Sequence, residues 1–193
     1  MKLKNLRKTL LLAACIATTF GIATGAFAQI ESAKIQVDGL GCPFCVKGVE
    51  KHLKKVDGVD GLSTNLKKGE VTLEYAPGAQ FDVPSLQKAV KRGGFTPGAV
   101  EVTARGKVRQ QGNDFVFDVI GTETAFLILK AESTNEESAN AGIAKEMSTK
   151  LQDAVTAGHI VEITGRVRSQ KDALPGLSVE KLIKVSGEDH AGS

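Results

Sequence analysis

The sequence predicts an α+β protein in two successive parts, an open sheet carrying two helices and then a small β-barrel. Three observations predict it. Between residues 33 and 104, short alternating apolar runs and runs with helical spacing follow the order β-α-β-β-α-β. From about Arg105 the order changes to β-β-β-α-β-β. A basic and then apolar leader precedes both, which leaves the 193 residues room for two small domains.

In the first part, Ala33 to Val37 alternates small or apolar with polar residues, the pattern of a strand. Val46, Val49, Leu53 and Val56 then recur at helical spacing within 44–56. Asp57 to Gly61 is a turn cluster. Leu62, Thr64 and Leu66 predict a second strand, and Lys67-Lys68-Gly69 a hairpin turn into a third at Val71–Tyr75. Pro77-Gly78 breaks the chain. Val83–Arg92 is a helix with Leu86, Ala89 and Val90 on one side and Pro84 in its first turn. Gly93-Gly94 ends it, Pro97 lies in the following loop, and Val100 opens a fourth strand. This order is the ferredoxin-like split βαβ arrangement, expected over residues 29–104.

The second part is expected over residues 105–186. A short strand at 107–110 turns at Gln111-Gly112-Asn113. Phe115, Phe117 and Val119 alternate as the next strand, and 125–129 is a more continuous apolar one. Ile143, Met147, Leu151 and Val155 recur every four residues, the stripe of a packed helix. Ile160–Arg168 is a strand with a bend at Gly165, and Ala173 to Gly176 a turn. Val179, Ile183 and Val185 mark a last strand, and 187–193 a disordered tail. The element order and the 161–167 run resemble an OB-like barrel, the five-stranded oligonucleotide/oligosaccharide-binding architecture. Fold resemblance of this kind implies no function.

Residues 1–28 read as a signal peptide. Lys2, Lys4, Arg7 and Lys8 form its basic start, an apolar stretch follows, and Ala26-Phe27-Ala28 fits a cleavage site after Ala28. The mature protein is therefore expected to be periplasmic or secreted, with no stable membrane insertion. Small residues dilute the apolar run, which argues against a retained transmembrane anchor. A competing pattern, Leu12-Ala13-Ala14-Cys15, resembles a bacterial lipoprotein box. The apolar stretch before it is short and more follows it, which favours the later cleavage. Cleavage takes 25 basic and 22 acidic residues to 21 and 22, a net charge of −1. The basic character belongs to the leader, so the mature chain makes no general case for nucleic acid or anionic membranes.

Cleavage also removes Cys15 and leaves Cys42 and Cys45 as the thiols of the mature chain. One close pair is not a disulfide framework, although export makes oxidation possible. The pair lies in Gly39-Leu40-Gly41-Cys42-Pro43-Phe44-Cys45, where a strand hands over to a helix. Unpaired N–H groups and the dipole at a helix start favour thiolate, the form that binds metal and attacks disulfides. Cys42 is placed to cap the helix, Pro43 to take its first position, and Gly39 and Gly41 to let the loop wrap an ion.

This loop in this element order resembles the heavy-metal-associated domain of copper chaperones, soft-metal ATPases and the periplasmic mercury-binding protein. The family motif is Gly-Met-x-Cys-x-x-Cys. Leu40 stands at the methionine position, and Gly94-Phe95 matches the family's glycine-aromatic pair near the metal loop. The resemblance covers about residues 31–104. It implies Cys42 and Cys45 as metal ligands, with Gly39, Leu40, Gly41, Pro43, Phe44 and Phe95 around them. It also implies a metal transporter or another Cys-x-x-Cys protein as partner, and a carrier rather than an enzyme. Two soft sulfurs suit Cu(I), with Hg(II) or Ag(I) as chemical relatives. Zn(II) wants four ligands where one pair supplies two, and is less expected. The departure is Pro43-Phe44, which is close to the Cys-Pro-aromatic-Cys of glutaredoxin-like enzymes. Thiol-disulfide exchange by the same pair therefore stays open, as does an exported interaction adaptor with a structural disulfide.

The remaining constellations carry less. Lys47, Lys51, Lys54 and Lys55 give the first helix a basic face, ordinarily a solvated surface, which in metal transfer could dock an acidic partner. His52 is two helical turns beyond Cys45, His159 begins a strand and His190 lies in the tail; all three read as surface residues. Arg105, Lys107, Arg109, Arg166, Arg168 and Lys171 could share one face, and Phe115, Phe117 and Phe126 could stack bases. Alternation places those rings in the core, and residues 105–193 hold 11 basic against 13 acidic side chains, so nucleic acid is not expected. The sequence has no carboxylate pair at catalytic spacing, no Ser/His/Asp set and no phosphate loop.

Overall fold

The computed structural model describes residues 30–129, 139–170 and 173–185, with only the backbone described at 139–144. The leader with Cys15, Lys171, and the tail with His190 lie outside the described residues. The elements are β1 (Ile30–Asp38), α1 (Pro43–Leu53), β2 (Val59–Asn65), β3 (Glu70–Tyr75), α2 (Val83–Arg92), β4 (Thr96–Gln111), β5 (Asp114–Val119), β6 (Ala125–Ile128), α3 (Ala139–Ala157), β7 (Ile160–Arg168) and β8 (Gly176–Lys184).

The first half is the expected ferredoxin-like unit. Its strands lie in the order β2-β3-β1-β4, every neighbour antiparallel. Alternation decides the faces: Ala33, Ile35 and Val37 of β1 and Val71, Leu73 and Tyr75 of β3 are buried, and their sequence neighbours are not. The buried face meets Val49 and Leu53 of α1 and Leu86, Ala89 and Val90 of α2. Each fully buried Leu or Val contributes on the order of 1.5–3 kcal/mol of transfer free energy. Asp82 caps α2 by accepting the Ser85 N–H at 2.9 Å, and Lys91 and Arg92 complement the negative end of its dipole. Thr64 donates to Glu50 at 2.8 Å, which fastens α1 to β2.

The second half closes into a five-stranded barrel. β4 pairs β5, β5 pairs β6, β6 pairs β8, β8 pairs β7, and β7 returns to β4. The β6–β8 pair is parallel and the others antiparallel. The bend expected at Gly165 is a register shift between Thr164 and Gly165. Leu151 and Ala154 of α3 are buried, with Met147 and Val155 packed against the core.

Several boundaries differ from expectation. The strands predicted at 100–102 and 107–110 are one 16-residue strand, so the boundary placed at 104/105 falls inside β4. The reason is period. Val100, Val102, Ala104, Gly106 and Val108 carry the alternation straight through, and the β4–β7 ladder runs unshifted from Val100 to Lys107. Gly106 allows close approach: a Cβ there would meet the Phe117 ring at 2.6 Å and collide with the Asp118 carbonyl. Pro97 belongs to the start of β4 rather than to a loop, where a missing N–H is tolerated. β2 begins at Val59, inside the expected turn, because β3 offers partners there. α1 stops at Leu53, short of Val56, and β8 begins at Gly176.

The two halves share one core. Tyr75 and Phe81 meet edge-on at 5.7 Å between ring centroids, Phe81 and Phe126 at 6.0 Å, and Phe126 and Phe117 stack at 6.5 Å. Val100 to Ala104 of β4 pair with β1 on one edge and β7 on the other. Arg105 repeats that link in side chains, contacting Glu31 of β1 at 2.6 Å and Glu162 of β7 at 3.2 Å. Phe117 and Phe126 are fully buried and Phe115 partly, so these rings are core and not stacking platforms.

Candidate metal centre

β1 delivers the chain to the loop at Asp38, which pairs with Thr96 at the start of β4. Gly39 follows with φ +84°, a conformation L side chains rarely adopt, and its carbonyl accepts the Gly41 N–H at 2.8 Å. That turn drops Leu40 into the core at 3% exposure, the inward position expected for it. Gly41 has neither a positive φ nor a crowded Cβ direction, so the freedom expected of both glycines is required of Gly39 alone. Phe95 is partly buried against the core and reaches the loop: a Cβ on Gly39 would lie 3.8 Å from its Cδ1.

Cys42 is the N-cap of α1. Its backbone is extended (φ −133°, ψ 148°), and its Sγ accepts the Cys45 N–H at 3.1 Å. Pro43 occupies the first turn. The Cys45 amide and the dipole of the helix start therefore face the Cys42 sulfur, which favours thiolate there once the pair is reduced. Cys45 is partly buried against the core, while Phe44 between the two is 85% exposed. The two sulfurs are joined in a disulfide, with Cα atoms 5.2 Å apart.

The arrangement supports two chemical states. Oxidised, it holds no free thiolate. Reduced, it offers two sulfurs from a short loop, and small side-chain rotations would set them on either side of one ion, with metal–sulfur bonds of ~2.3 Å. Among the described residues no group of three or more His, Cys, Asp or Glu could hold a metal. The loop itself offers two soft sulfur donors.

The other predicted site residues spread out. Lys47, Lys51, Lys54 and Lys55 are all exposed, in a stripe leading away from the loop, and only Lys47 lies within about a turn of the sulfurs. His52 is partly buried and lines a cleft of about 410 Å³ with Lys55 of the α1 end and Asp82, Lys88 and Arg92 along α2. The arginines of the barrel half are interleaved with acids: Arg105 with Glu31 and Glu162, Arg109 with Asp118 at 2.6 Å, Arg166 with Glu180 at 2.8 Å. Sequence reasoning missed that the β2–β3 turn flanks the loop. The Val37 N–H donates to Gly69 O and the Gln36 side chain to Lys68 O, both at 2.8 Å, which brings Leu66, Lys67 and Lys68 to the thiol end. A hairpin is visible in sequence, but its neighbour is not.

Residues 34–96 match the heavy-metal-associated domain. The copper chaperone CopZ of Bacillus subtilis is 30% identical over 66 residues, 34% of this chain and 94% of its own length. The chain belongs to the heavy-metal-associated domain family. The copper-exporting P-type ATPase of Bacillus subtilis is 34% identical over 65 residues, 34% of this chain. This chain spans 8% of the ATPase's length. Among solved structures, a CopZ metallochaperone is 26% identical, covering 35% of this chain and all of its own, with a TM-score of 0.33. The heavy-metal-associated match takes in the thiol loop, both helices and the turn to β4, and stops before the barrel half.

Proposed function

We propose that this is an exported carrier that captures a soft metal ion between Cys42 and Cys45 and hands it on by thiolate exchange. The observation that carries the reading is the Cys42 sulfur at the N-cap of α1, receiving the Cys45 amide within a heavy-metal-associated loop. Cu(I) is the ion of choice, since the relatives include copper chaperones and copper-exporting ATPases. Hg(II) and Ag(I) share its taste for two sulfurs. The ion is cargo, and no catalytic step is assigned to the protein. The partner is a metal transporter or a second protein with a thiol pair. We place the protein outside the cytoplasm on its leader, cleaved after Ala28, rather than lipidated at Cys15. Residues 105–186 we read as an OB-like module, on the strand order 1-2-3-5-4-1 with its helix between strands three and four. Its role is to hold and present the carrier half, in a reading developed below.

Anaerobic titration of the reduced chain with Cu(I), Hg(II) and Zn(II), beside Cys42→Ser/Cys45→Ser, tests this. About one soft ion per chain is expected for the wild type, and none for the double variant. Equal metal retention by both overturns the reading. A second reading is favoured by the joined sulfurs and the bare Phe44 ring beside them, namely thiol-disulfide exchange with another protein. Rapid catalysis of insulin reduction without stoichiometric metal would select it. Pull-down of a protein that survives loss of both cysteines would select the adaptor with a structural disulfide.

A further inference from the structure

Among the described residues four large apolar side chains are exposed: Phe44 (85%), Leu66 (38%), Leu174 (40%) and Ile183 (40%). Single exposed apolar residues are ordinary on any protein. Their placement here is not scattered, because three of the four stand at the thiol end of the sheet. Phe44 lies between the cysteines. Leu66 follows β2, in the turn whose Gly69 carbonyl receives the Val37 N–H. Leu174 belongs to the β7–β8 connection. β7 runs antiparallel to β4, with Ala104 opposite Ile163 and Val100 opposite Val167, so it travels toward the Thr96 end. Its last pair with β8, Arg168 with Gly176, stands on the side where Thr96 meets Asp38 and the thiol loop begins, and Leu174 lies two residues before Gly176. Ile183 sits opposite Glu162, well down the barrel.

The lateral order is β2-β3-β1-β4-β7. With strands ~4.8 Å apart, Leu66, Phe44 and Leu174 mark a row of roughly 20 Å with the thiol loop at its centre. Exposed Lys47, Lys67 and Lys68 stand at the same end, against Asp38 and the half-buried Glu70. We infer that this end is one docking surface for the protein that exchanges metal with Cys42 and Cys45, and that Leu174 of the barrel half supplies one of its three apolar contacts. The inference rests on the metal-transfer reading above. The partner it fits is a protein with an acidic rim around an apolar surface that holds its own soft ligand. An ion on two thiolates leaves only for another soft donor, which a lipid surface does not offer. The unbroken β4 is what makes the contact possible. It pairs with β1, which leads into the thiol loop, and with β7, which leads toward Leu174, so the barrel half adds recognition without touching the metal.

The test places the photo-crosslinker p-benzoylphenylalanine singly at positions 44, 66, 174 and 183 of the full chain, in its native cells. Positions 44, 66 and 174 are expected to capture the same protein, one that carries a soft-metal ligand pair, and 183 not to capture it. Lipid adducts alone, different proteins at 44 and 174, no product at 174, or the same product from 183 each overturn the shared surface. A common partner without soft-metal ligands leaves the surface standing and overturns the handover reading. With the captured protein purified, Leu174→Ser is expected to slow Cu(I) transfer to it about fivefold or more. Extraction of Cu(I) by the small chelator bathocuproine should be unchanged in that variant. Equal slowing of both routes would show that Leu174 acts on the metal loop and not on the partner.

Discussion

Phe81, just before α2, meets Phe126 of β6 with ring centroids 6.0 Å apart, and this contact joins the two halves of the protein through their core. Its neighbour Thr124 ties the same point in polar form, receiving the Phe81 N–H and donating to the Gln80 side chain, both at 3.4 Å. A sheet passing through β4 and a core passing through these rings are expected to unfold together.

Phe126→Ala should therefore cost about 3–5 kcal/mol and destabilise the carrier half along with the barrel half. Tyr75 is the only tyrosine and there is no tryptophan, so the fluorescence comes from the first half, at its ring contact with Phe81. Denaturant curves from Tyr75 fluorescence and far-UV circular dichroism should coincide and move together in the variant. Two separate transitions would mean that the halves fold independently.

Tyr75→Phe is expected to stabilise the protein by roughly 1–3 kcal/mol at neutral pH, since the Tyr75 hydroxyl is buried with no hydrogen-bond partner. Burial, then the Asp82 charge, raises its pKa well above the ordinary 10.0. The folded state thus keeps a proton that the unfolded chain releases, and stability is lost as pH rises above about 10. Lys34, whose pKa is raised chiefly by its hydrogen bond to Glu101, loses stability in the same direction, weakened by solvent at its exposed position. The pH dependence of the denaturation midpoint between pH 8 and 11 should be flatter in Tyr75→Phe than in the wild type.

Gly106→Val should lower stability by about 1–3 kcal/mol or prevent folding, because its Cβ points into the Phe117 ring and the Asp118 carbonyl. Gly41→Ala, with open space around its Cβ and no positive φ, should fold normally and bind metal as the wild type does. Thermal melts and metal titration of the two variants check the contrast.

Metal uptake should depend on reduction. The Cys42–Cys45 disulfide takes up two electrons and two protons from a dithiol such as dithiothreitol before the sulfurs can bind an ion. The oxidised chain should take up no Cu(I) through this pair, and the pre-reduced chain about one equivalent. Thiol titration with Ellman's reagent beside metal analysis under anaerobic conditions reads both states.

Much of the site was legible in the sequence because its logic is local. A cysteine before Pro43 can cap a helix, an apolar residue at position 40 can turn inward, and Gly39 can take a positive φ; none of these needs a distant partner. The helix Val83–Arg92 and the strand Ile160–Arg168 were legible to the residue, since each is bounded by its own breakers and carries one clear period. The division of β4 was not, because a change in element order resembles a domain boundary even where the alternation of Val102, Ala104, Gly106 and Val108 never stops.

The sequence by itself determined the thiol pair, the helix that it caps, and the two element orders, all through periodicity and local capping. Tertiary structure alone decided that β4 serves both halves, that Phe81 reaches Phe126, and that the β2–β3 turn comes to the thiol end. Those are pairings between residues as far apart in sequence as Val37 and Gly69, Phe81 and Phe126, or Ile30 and Ala104. Strand register and ring contact across such distances are chosen by the whole folded chain.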